Sequence, residues 1–391
     1  MATSRLLVVL MLLTGTLSGC ATPDGAEPSP PRAGTSPQAP PVTSPPWYDP
    51  SWRYRKKITI DREQVAGSAQ LVNFPLLLSG AYPDWRSAEH GGHVGKRDGT
   101  DIVFTAADGT TKLDHEIENY VSTTGALIAW VRLPSLSPVG NTAIYIYYGN
   151  ATVTDQQHRT DVWDSNYQGV WHLGDANPAV SGAVDSTANG NHGSPAGRIQ
   201  QYTGQIGGSF DFTELETYLN HGKSSSLQLT GAMTLSAWVN PRTYPEVGQI
   251  IGKAGGSGTR GWTIRLDSYG GINFNVAPDA NTIANLYSSE LPPNTWSFVT
   301  AVYEPGTAMR IYINGVLDAE RTSDVPVSQY NNSNNVLMGK RAGCLPCEID
   351  SRLDEVRVSA VARHADWILS EYHNQSSPLA FYAVSQQQGR E

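Results

Sequence analysis

From residue 51 to residue 155, apolar and polar residues alternate in short runs that end at glycine, proline, asparagine or aspartate. A period of two residues, rich in β-branched and aromatic side chains, predicts strands that bury one face, and a series of them predicts an antiparallel β-sandwich. The predicted strands are Arg55–Ile60, Asn73–Leu78, Asp101–Phe104, Leu127–Leu133 and Ala143–Tyr148.

The same alternation continues from residue 160 to residue 382, and many strands in a unit of this length predict a double-sheet jelly roll. The predicted strands are Gly208–Phe212, Met233–Val239, Trp262–Leu266, Ile272–Val276, Trp296–Tyr303, Met309–Gly315 and Asp350–Val358. One helix is predicted at Ala362–Tyr372, where Trp367, Leu369 and Tyr372 are expected to cap the sandwich. The fold class is therefore predicted to be all-β, with two sandwich domains and one short C-terminal helix.

The first 20 residues have the features of an export signal. Arg5 provides the positively charged N-terminal region of such a signal, and Leu6–Leu13 form an apolar run that is too short to span a bilayer. The end of this segment, Leu17–Cys20, resembles the lipobox of bacterial lipoproteins, which implies cleavage before Cys20 and lipidation of its thiol. The resemblance, with Ala21 following the cysteine, implies a membrane-anchored protein at the outer membrane or cell surface. The alternative is an ordinary secretory signal that contains a cysteine.

Residues 21–50 contain 10 prolines among serine, threonine, alanine and glycine. Closely spaced prolines favour an extended polyproline conformation, so this segment is predicted to be a linker that holds the folded domains away from the membrane.

The charge of the chain limits its partners. The formal net charge is −9, and charged residues make up 16% of the chain, below the roughly 25% of average globular domains. No basic stripe is present, so the sequence argues against nucleic acid as a partner.

Several motifs between residues 51 and 155 resemble a bacterial domain of unknown function, number 2341. They are Trp52–Lys56, Asp98–Ile102, His115–Glu118, Ala129–Val131 and Tyr147–Asn150. The resemblance implies no established chemistry, only an association with carbohydrate-binding-type modules in exported proteins.

Motifs in residues 160–382 resemble laminin-G-like, concanavalin A-like jelly rolls of bacterial surface proteins. They are Gly169–Leu173, Asp185–Gly193, Leu235–Val239, Tyr312–Gly315 and Leu353–Arg357. The resemblance implies a domain that binds glycans or proteins, or serves as a spacer, and a minority of the wider superfold are hydrolases.

The same resemblance implies a structural calcium ion where an early acidic loop meets the last strand. Its expected side-chain ligands are Asp185 and Asp354, with Asp175 as a third, because calcium prefers six to eight oxygen ligands.

Alternation places Asp354 on the face of Val356 and Val358, which is predicted to be buried, and a buried carboxylate needs a cation or several donors. The alternative is that backbone amides, or His172 and Arg352, satisfy Asp354 without a metal.

The four residues Cys344–Cys347 begin and end with cysteine. Outside the cytoplasm this pattern predicts a local disulfide between Cys344 and Cys347. A redox pair would normally begin a helix, and a zinc site needs four ligands, so both alternatives fit less well.

Alternation also predicts which residues face away from the jelly-roll core. Arg265, Asn273, Asn275 and Tyr312 are expected to share one concave sheet and to contact glycan, because amides, guanidinium groups and an aromatic ring suit sugars. The alternative is an ordinary hydrophilic outer face.

The segment Asp114–Glu118 places alternate carboxylates on one face of a strand, about 7 Å apart. Glycosidases use two carboxylates about 5–9 Å apart, and Glu116 to Glu118 resemble the Glu-Ile-Asp motif of concanavalin-like glucanases. That motif continues with a second glutamate three residues later, where this chain has Val121. The sequence therefore favours a solvated face of like charges over a catalytic pair.

Three functions are consistent with these observations. The first is a membrane-anchored binding or adhesion lipoprotein whose partner is a glycan or an envelope protein. The second is a structural spacer in the envelope without its own ligand. The third, a glycan-cleaving hydrolase, is least supported because no complete catalytic motif is present.

Overall fold

The computed structural model describes residues 44–245, 247–345 and 347–390. Cys20, the predicted signal 1–20 and most of the predicted linker lie outside the described residues. Within the described part, no helix is both long and apolar enough to cross a membrane.

The N-terminal sandwich is built from seven consecutive strands whose residues alternate between core and surface. They are β1 (Tyr54–Ile60), β2 (Leu71–Ala81), β3 (Val103–Ala106), β4 (Lys112–Leu113), β5 (His115–Val121), β6 (Ala126–Leu136) and β7 (Thr142–Tyr148). One sheet has the order β2-β6-β5, and the other contains β1, β7, β3 and β4 in that order. The apolar face of each strand contributes to a common core that includes Ile58, Phe74, Val131 and Ile146.

The jelly roll begins at β8 (Tyr167–Trp171), and a short helix α1 (Pro178–Ser181) follows it. Its remaining strands are β9 (Ser194–Ala196), β10 (Gln200–Thr203), β11 (Gly208–Phe212), β12 (Tyr218–Asn220), β13 (Met233–Pro241), β14 (Gly248–Gly252), β15 (Thr263–Leu266), β16 (Gly271–Val276), β17 (Ala284–Glu290), β18 (Ser297–Glu304), β19 (Ala308–Ile313), β20 (Val316–Arg321), β21 (Leu337–Met338) and β22 (Ser351–Ser359).

The jelly-roll strands form two antiparallel sheets around one apolar core. An eight-stranded sheet has the order β10-β11-β22-β13-β18-β19-β20, with β8 paired to β22, and a seven-stranded sheet has the order β17-β16-β15-β14-β21-β12-β9. Ile264, Phe274, Met309 and Ile311 face the core, as alternation predicts. The all-β fold class and the jelly roll are therefore confirmed.

The C-terminal segment returns to the N-terminal sandwich. It consists of α2 (Ala365–Ser376), α3 (Pro378–Phe381), β23 (Tyr382–Val384) and β24 (Gln388–Gly389), and both strands pair with β1. The described residues also contain short 3-10 turns at Arg62–Gln64, Pro83–Trp85, Ala88–His90, Arg159–Asp161 and Ser225–Leu227. The segment that follows the jelly roll therefore completes the first domain's sheet, and the chain from Pro45 onward forms one compact unit.

Helix α2 lies between the two sandwiches and packs on both. Trp367 stands 5.2 Å from Phe74 of the N-terminal core, measured between ring centroids. On the jelly-roll side, Tyr372 contacts Phe298 and Trp238, and Trp238 donates its indole N–H to Gln375. The predicted helix is confirmed, but it caps both domains, and it begins and ends three and four residues later than expected.

The folded part begins earlier than the predicted end of the linker. Trp47 and Tyr48 pack on Trp52 and Tyr147, and the carbonyl oxygens of Pro45 and Pro46 accept hydrogen bonds from Arg55. Trp47 and Tyr48 have large apolar rings that can pack on the N-terminal sandwich, and residues 21–44 contain no aromatic side chain that could do the same.

We expect Trp367→Ala to lower the free energy of unfolding by about 3–5 kcal/mol, because it removes a 5% exposed indole from the N-terminal core. Urea unfolding followed by circular dichroism measures this change. Leu379→Ala, at a 65% exposed position in the same C-terminal segment, should change stability by less than about 0.5 kcal/mol. Equal effects of the two substitutions would contradict the packing assigned to α2.

Candidate functional site

A polar cluster is buried where the two sandwiches meet. The outer face of the three-stranded sheet packs on the outer face of the eight-stranded sheet around Leu77, Trp130, Trp163, Tyr167 and Val170. This contact shields most of both faces from solvent, so the charged residues inside it depend on one another for hydrogen bonds.

Two irregular strands direct carboxylates into this junction. The register of β5 against β6 shifts between Ile117 and Asn119, which places Glu118 in a bulge. The register of β22 against β13 shifts near Glu355, whose φ is +50°. Bulges re-aim side chains, and left-handed backbone at a non-glycine residue is uncommon and often found at functional sites.

His172 lies between these carboxylates and is itself buried. Its Nδ1 is 2.7 Å from Oε1 of Glu355 and 3.7 Å from Oε2 of Glu118, and its Nε2 is 3.3 Å from Oε2 of Glu116. The next residue, Leu173, has φ +59°. One imidazole therefore connects Glu116 and Glu118 of the N-terminal sandwich with Glu355 of the jelly roll.

Neutral donors complete the hydrogen bonding of the two N-terminal carboxylates. Glu116 accepts from Ser186 Oγ at 2.7 Å and from Trp163 Nε1 at 3.0 Å. Glu118 accepts from Trp130 Nε1 at 3.0 Å.

Arg357 is the buried cation on the jelly-roll side. Its guanidinium donates to Glu355 at 2.7 Å and to Glu371 of α2 at 2.5 Å. The same group lies 4.5 Å above the ring of Trp130 and 4.9 Å from that of Trp163. Cation–π contact and two charge-assisted hydrogen bonds fix Arg357 at the junction.

The environment separates the pKa values of the two neighbouring glutamates. Burial raises the pKa of Glu118 to about 8, and Glu355 adds to that effect. Burial alone would also raise the pKa of Glu116, but the charge and hydrogen bond of His172 hold it below its ordinary value. Burial opposes charge on His172, but Glu355 and Glu116 raise its pKa well above the ordinary range.

Two open clefts reach this cluster. One, of about 170 Å³, is lined by Glu116, Glu118, His172, Asp175 and Ser186 among others. The other is lined by Glu118, Gly174, Tyr202 and Gly207 among others. Glu118 borders both clefts, so small solutes have access to it from solvent.

The sequence-based interpretation of Glu116 and Glu118 as part of a solvated face is wrong. The exposed fraction of Glu116 is 4%, and that of the Glu118 side chain is 7%. The face is covered because β8 and β22 of the jelly roll pack on it, a long-range contact that local alternation does not reveal.

The residues predicted to hold calcium are in different environments. Asp185 accepts four hydrogen bonds, from the backbone N–H groups of Val170, Thr187 and Asn191 and from the hydroxyl of Thr187. Asp175 lines the cleft beside His172 and accepts from the backbone N–H of Val184 at 3.3 Å. Hydrogen bonds thus occupy both oxygens of Asp185, which fits an anchor of its own loop better than a calcium ligand; calcium itself stays a prediction.

Asp354 is buried as predicted, but on the opposite face of its strand. It pairs with Trp238, whose side chain faces α2, whereas the core residue Leu353 pairs with Val239. The bulge at Glu355 breaks the alternation, so Val356 and Val358 reach the core although Asp354 does not. Asp354 accepts a hydrogen bond at Oδ2 from the backbone N–H of Ile206 at 2.8 Å.

The prediction that Arg265, Asn273, Asn275 and Tyr312 share one sheet is wrong for Tyr312. The first three lie in the seven-stranded sheet, whereas Tyr312 belongs to β19 of the eight-stranded sheet and packs against Ile368 of α2. Alternation assigns a face to each strand, but it does not assign the strand to a sheet.

An exposed tyrosine stands in the seven-stranded sheet where Tyr312 was expected. Pairing runs across four strands from Gln249 to Arg265 to Asn273 to Tyr287, and Tyr287 is 54% exposed. We call these four residues, together with Asn275, the polar row. The period-two pattern of β17 could have indicated Tyr287, but its strand was not predicted.

Three arginines approach the polar row. Arg260, Arg265 and Arg341 line one small pocket together with Thr263, Asn275 and others. Burial lowers the pKa of Arg265, and the charges of Arg341 and Arg260 lower it further.

The predicted disulfide between Cys344 and Cys347 is present, in the segment that carries Arg341.

Comparison with known families agrees with this architecture. Residues 98–170 match the model of a domain of unknown function (DUF2341), and residues 213–369 match that of the concanavalin A-like lectin/glucanases superfamily, of the laminin-G type. The two matches lie in separate parts of the chain, one in each sandwich region. No curated protein is similar to it in sequence.

Partial matches among solved structures include toxin binding domains. The binding domain of Paraclostridial Mosquitocidal Protein 1 is 15% identical, with a TM-score of 0.44, over 53% of this chain and 52% of that one. The Botulinum Neurotoxin serotype G binding domain is 14% identical, with a TM-score of 0.44, over 54% and 52%. The chain therefore spans about half the length of these domains.

We expect the free energy of unfolding of the metal-free protein, measured in EDTA, to fall as pH rises from 6.5 to 8.5. Glu118 and His172 have raised pKa values in the folded state, so the fold binds their protons more tightly than the unfolded chain does. This contribution is lost as pH rises through the folded pKa values, at up to about 1.4 kcal/mol per pH unit for each group.

Glu118→Gln should make this pH dependence shallower, because the amide does not titrate. Glu63→Gln, at an exposed glutamate (71%), should leave the dependence unchanged. Identical pH profiles for Glu118→Gln and the unaltered protein would contradict the burial assigned to Glu118.

Proposed function

We propose that the protein is an exported binding module that holds an acidic glycan on the polar row of its laminin-G-like domain. The observation that carries this proposal is the group of buried donors without partners beside an exposed aromatic ring. The Nε of Arg260, the Nε of Arg265 and the Nδ2 of Asn273 are buried and have no hydrogen-bond partner among the described residues.

A sugar would satisfy these donors and use the tyrosine. Hydroxyl groups accept hydrogen bonds from amides and guanidinium groups, and the apolar face of a pyranose packs on an aromatic ring. Tyr287 of β17 is the register partner of Asn273 on the neighbouring strand β16. Paired residues on neighbouring strands point to the same face of the sheet, so the ring lies on the same side as the donor of Asn273.

The charge at this surface favours an acidic sugar. Arg260 and Arg265 take part in no salt bridge among those of the described residues, and no carboxylate lines the small pocket they share with Arg341. Like charges held together are costly, and a carboxylate of the ligand would relieve that cost through charge-assisted hydrogen bonds.

Replacing Arg265 or Tyr287 by alanine should lower the affinity for a uronate- or sialate-containing glycan at least about tenfold. Each loss removes an interaction of about 1.4 kcal/mol or more, while the fold should persist because Arg265→Ala relieves repulsion. A glycan array screened with the purified full chain selects the ligand, and calorimetry measures its affinity.

The control for this experiment is Arg310→Ala. Arg310 is paired with Glu304 and Glu320 and lies on β19 of the other sheet, so its loss should leave the affinity unchanged. Binding that is insensitive to Arg265→Ala and Tyr287→Ala would contradict the site, and absence of any glycan ligand would favour the spacer function.

We also propose that Cys20 anchors the protein to a bacterial membrane through lipid. The lipobox resemblance supports this proposal, and two or more acyl chains hold a protein at a membrane far more firmly than one. Cys20→Ser should move the protein from the membrane fraction to the soluble exported fraction and abolish incorporation of labelled palmitate. Retention in the membrane fraction would contradict lipid anchoring at Cys20.

A further inference from the structure

The junction cluster has the geometry of a metal site. The ligand atoms of Glu118, His172 and Glu355 all lie within 4.8 Å of one another. Atoms bound to one ion at 2.0–2.2 Å stand about 3–4 Å apart, so a small movement of side chains would bring these three onto a common ion. The carboxylate of Glu118 comes from β5, the imidazole of His172 from the residue after β8, and the carboxylate of Glu355 from β22.

Each of these three groups is also held by a second partner. The Nε2 of His172 faces Glu116, which fixes the ring so that Nδ1 points toward Glu118 and Glu355. Glu355 accepts from Arg357, and Glu118 accepts from Trp130. In metal sites, the second ring nitrogen of a ligating histidine is typically bonded to a carboxylate. The ligating carboxylates in turn accept hydrogen bonds from nearby donors, and both contacts fix the orientation of the ligands.

A separate observation also points to a cation. Asp354 is fully buried, and its Oδ1 has no hydrogen-bond partner among the described residues. It directly precedes Glu355 in β22, next to the bulge at the junction. An unsatisfied buried carboxylate oxygen in a native protein needs an explanation, and an ion or a water outside the chain provides one.

We propose that the junction binds one divalent transition-metal ion of the zinc class through Glu118, His172 Nδ1 and Glu355. Mixed nitrogen and oxygen donors suit such an ion better than magnesium or calcium, which prefer oxygen alone. The carboxylate excess around His172 supplies the charge that a divalent ion needs, and the cleft beside Glu118 and His172 gives it access from solvent.

The ion would join the two sandwiches. Glu118 belongs to the N-terminal sandwich, and His172 and Glu355 belong to the jelly roll, so a shared ion would link the two sandwiches. A ligand that binds the folded protein alone raises its stability by mass action.

The test uses the purified full chain, stripped with EDTA, dialysed and titrated with zinc chloride alone. We expect one zinc ion per chain after gel filtration, measured by mass spectrometry of the metal, and a higher melting temperature. Glu355→Gln should weaken zinc binding more than tenfold, because it replaces a charged ligand by a neutral amide of the same size.

The matched control is Glu371→Gln. Glu371 is a buried carboxylate that pairs with the same Arg357, but it is not one of the three ligands, so zinc binding should persist. Loss of binding in Glu355→Gln with retention in Glu371→Gln supports the site. Equal affinity in Glu355→Gln and the unaltered protein overturns it.

A measurement on the unaltered protein decides the question if a variant fails to fold. X-ray absorption of the zinc-loaded chain should show one imidazole nitrogen and oxygen ligands at about 2.0–2.2 Å, without sulfur. A shell without imidazole, or no stoichiometric zinc at all, would overturn the proposal. In the second case a protonated His172 that bridges Glu116 and Glu355 explains the cluster.

Discussion

The contact between His172 and its surrounding carboxylates fixes how the two sandwiches meet. Its imidazole lies 2.7 Å from Glu355 and 3.3 Å from Glu116, one residue from each side of the junction. A buried charge that loses its partner costs several kcal/mol, whereas apolar side chains tolerate small shifts. Trp130 and Trp163 supply buried area around the cluster, but the hydrogen-bonded groups restrict the relative register of the domains.

This contact combines regular strand geometry with departures from it. Alternation along β5 places Glu116 and Glu118 on the same face, and Glu118 also lies in the bulge between Ile117 and Asn119. A regular β22 would bury Asp354 in the jelly-roll core, and the bulge at Glu355 turns it toward the junction. The positive φ of Glu355 is the backbone cost of that arrangement.

Strand alternation predicted the core more reliably than it predicted the outer faces. Every strand predicted from the sequence is present, because a period of two residues reports which side chains face the core. Glu116 was misinterpreted because what covers an outer face is a long-range property. Asp354 was assigned to the wrong face because consecutive charged residues, Asp354 and Glu355, interrupt an apolar strand; that interruption was the sequence signal for a bulge.

The arrangement of the domains also determines which outer face of the jelly roll stays open to solvent. The outer face of its eight-stranded sheet is covered along β22 and β8 by the N-terminal sandwich, and Trp238 and Tyr312 are covered by α2. Tyr312, an aromatic residue of this face, is buried against Ile368 of α2. The seven-stranded sheet carries instead the exposed Tyr287 and buried donors that have no partner among the described residues. The two sheets therefore differ, because one outer face joins the domains and the other carries the polar groups of the proposed ligand site.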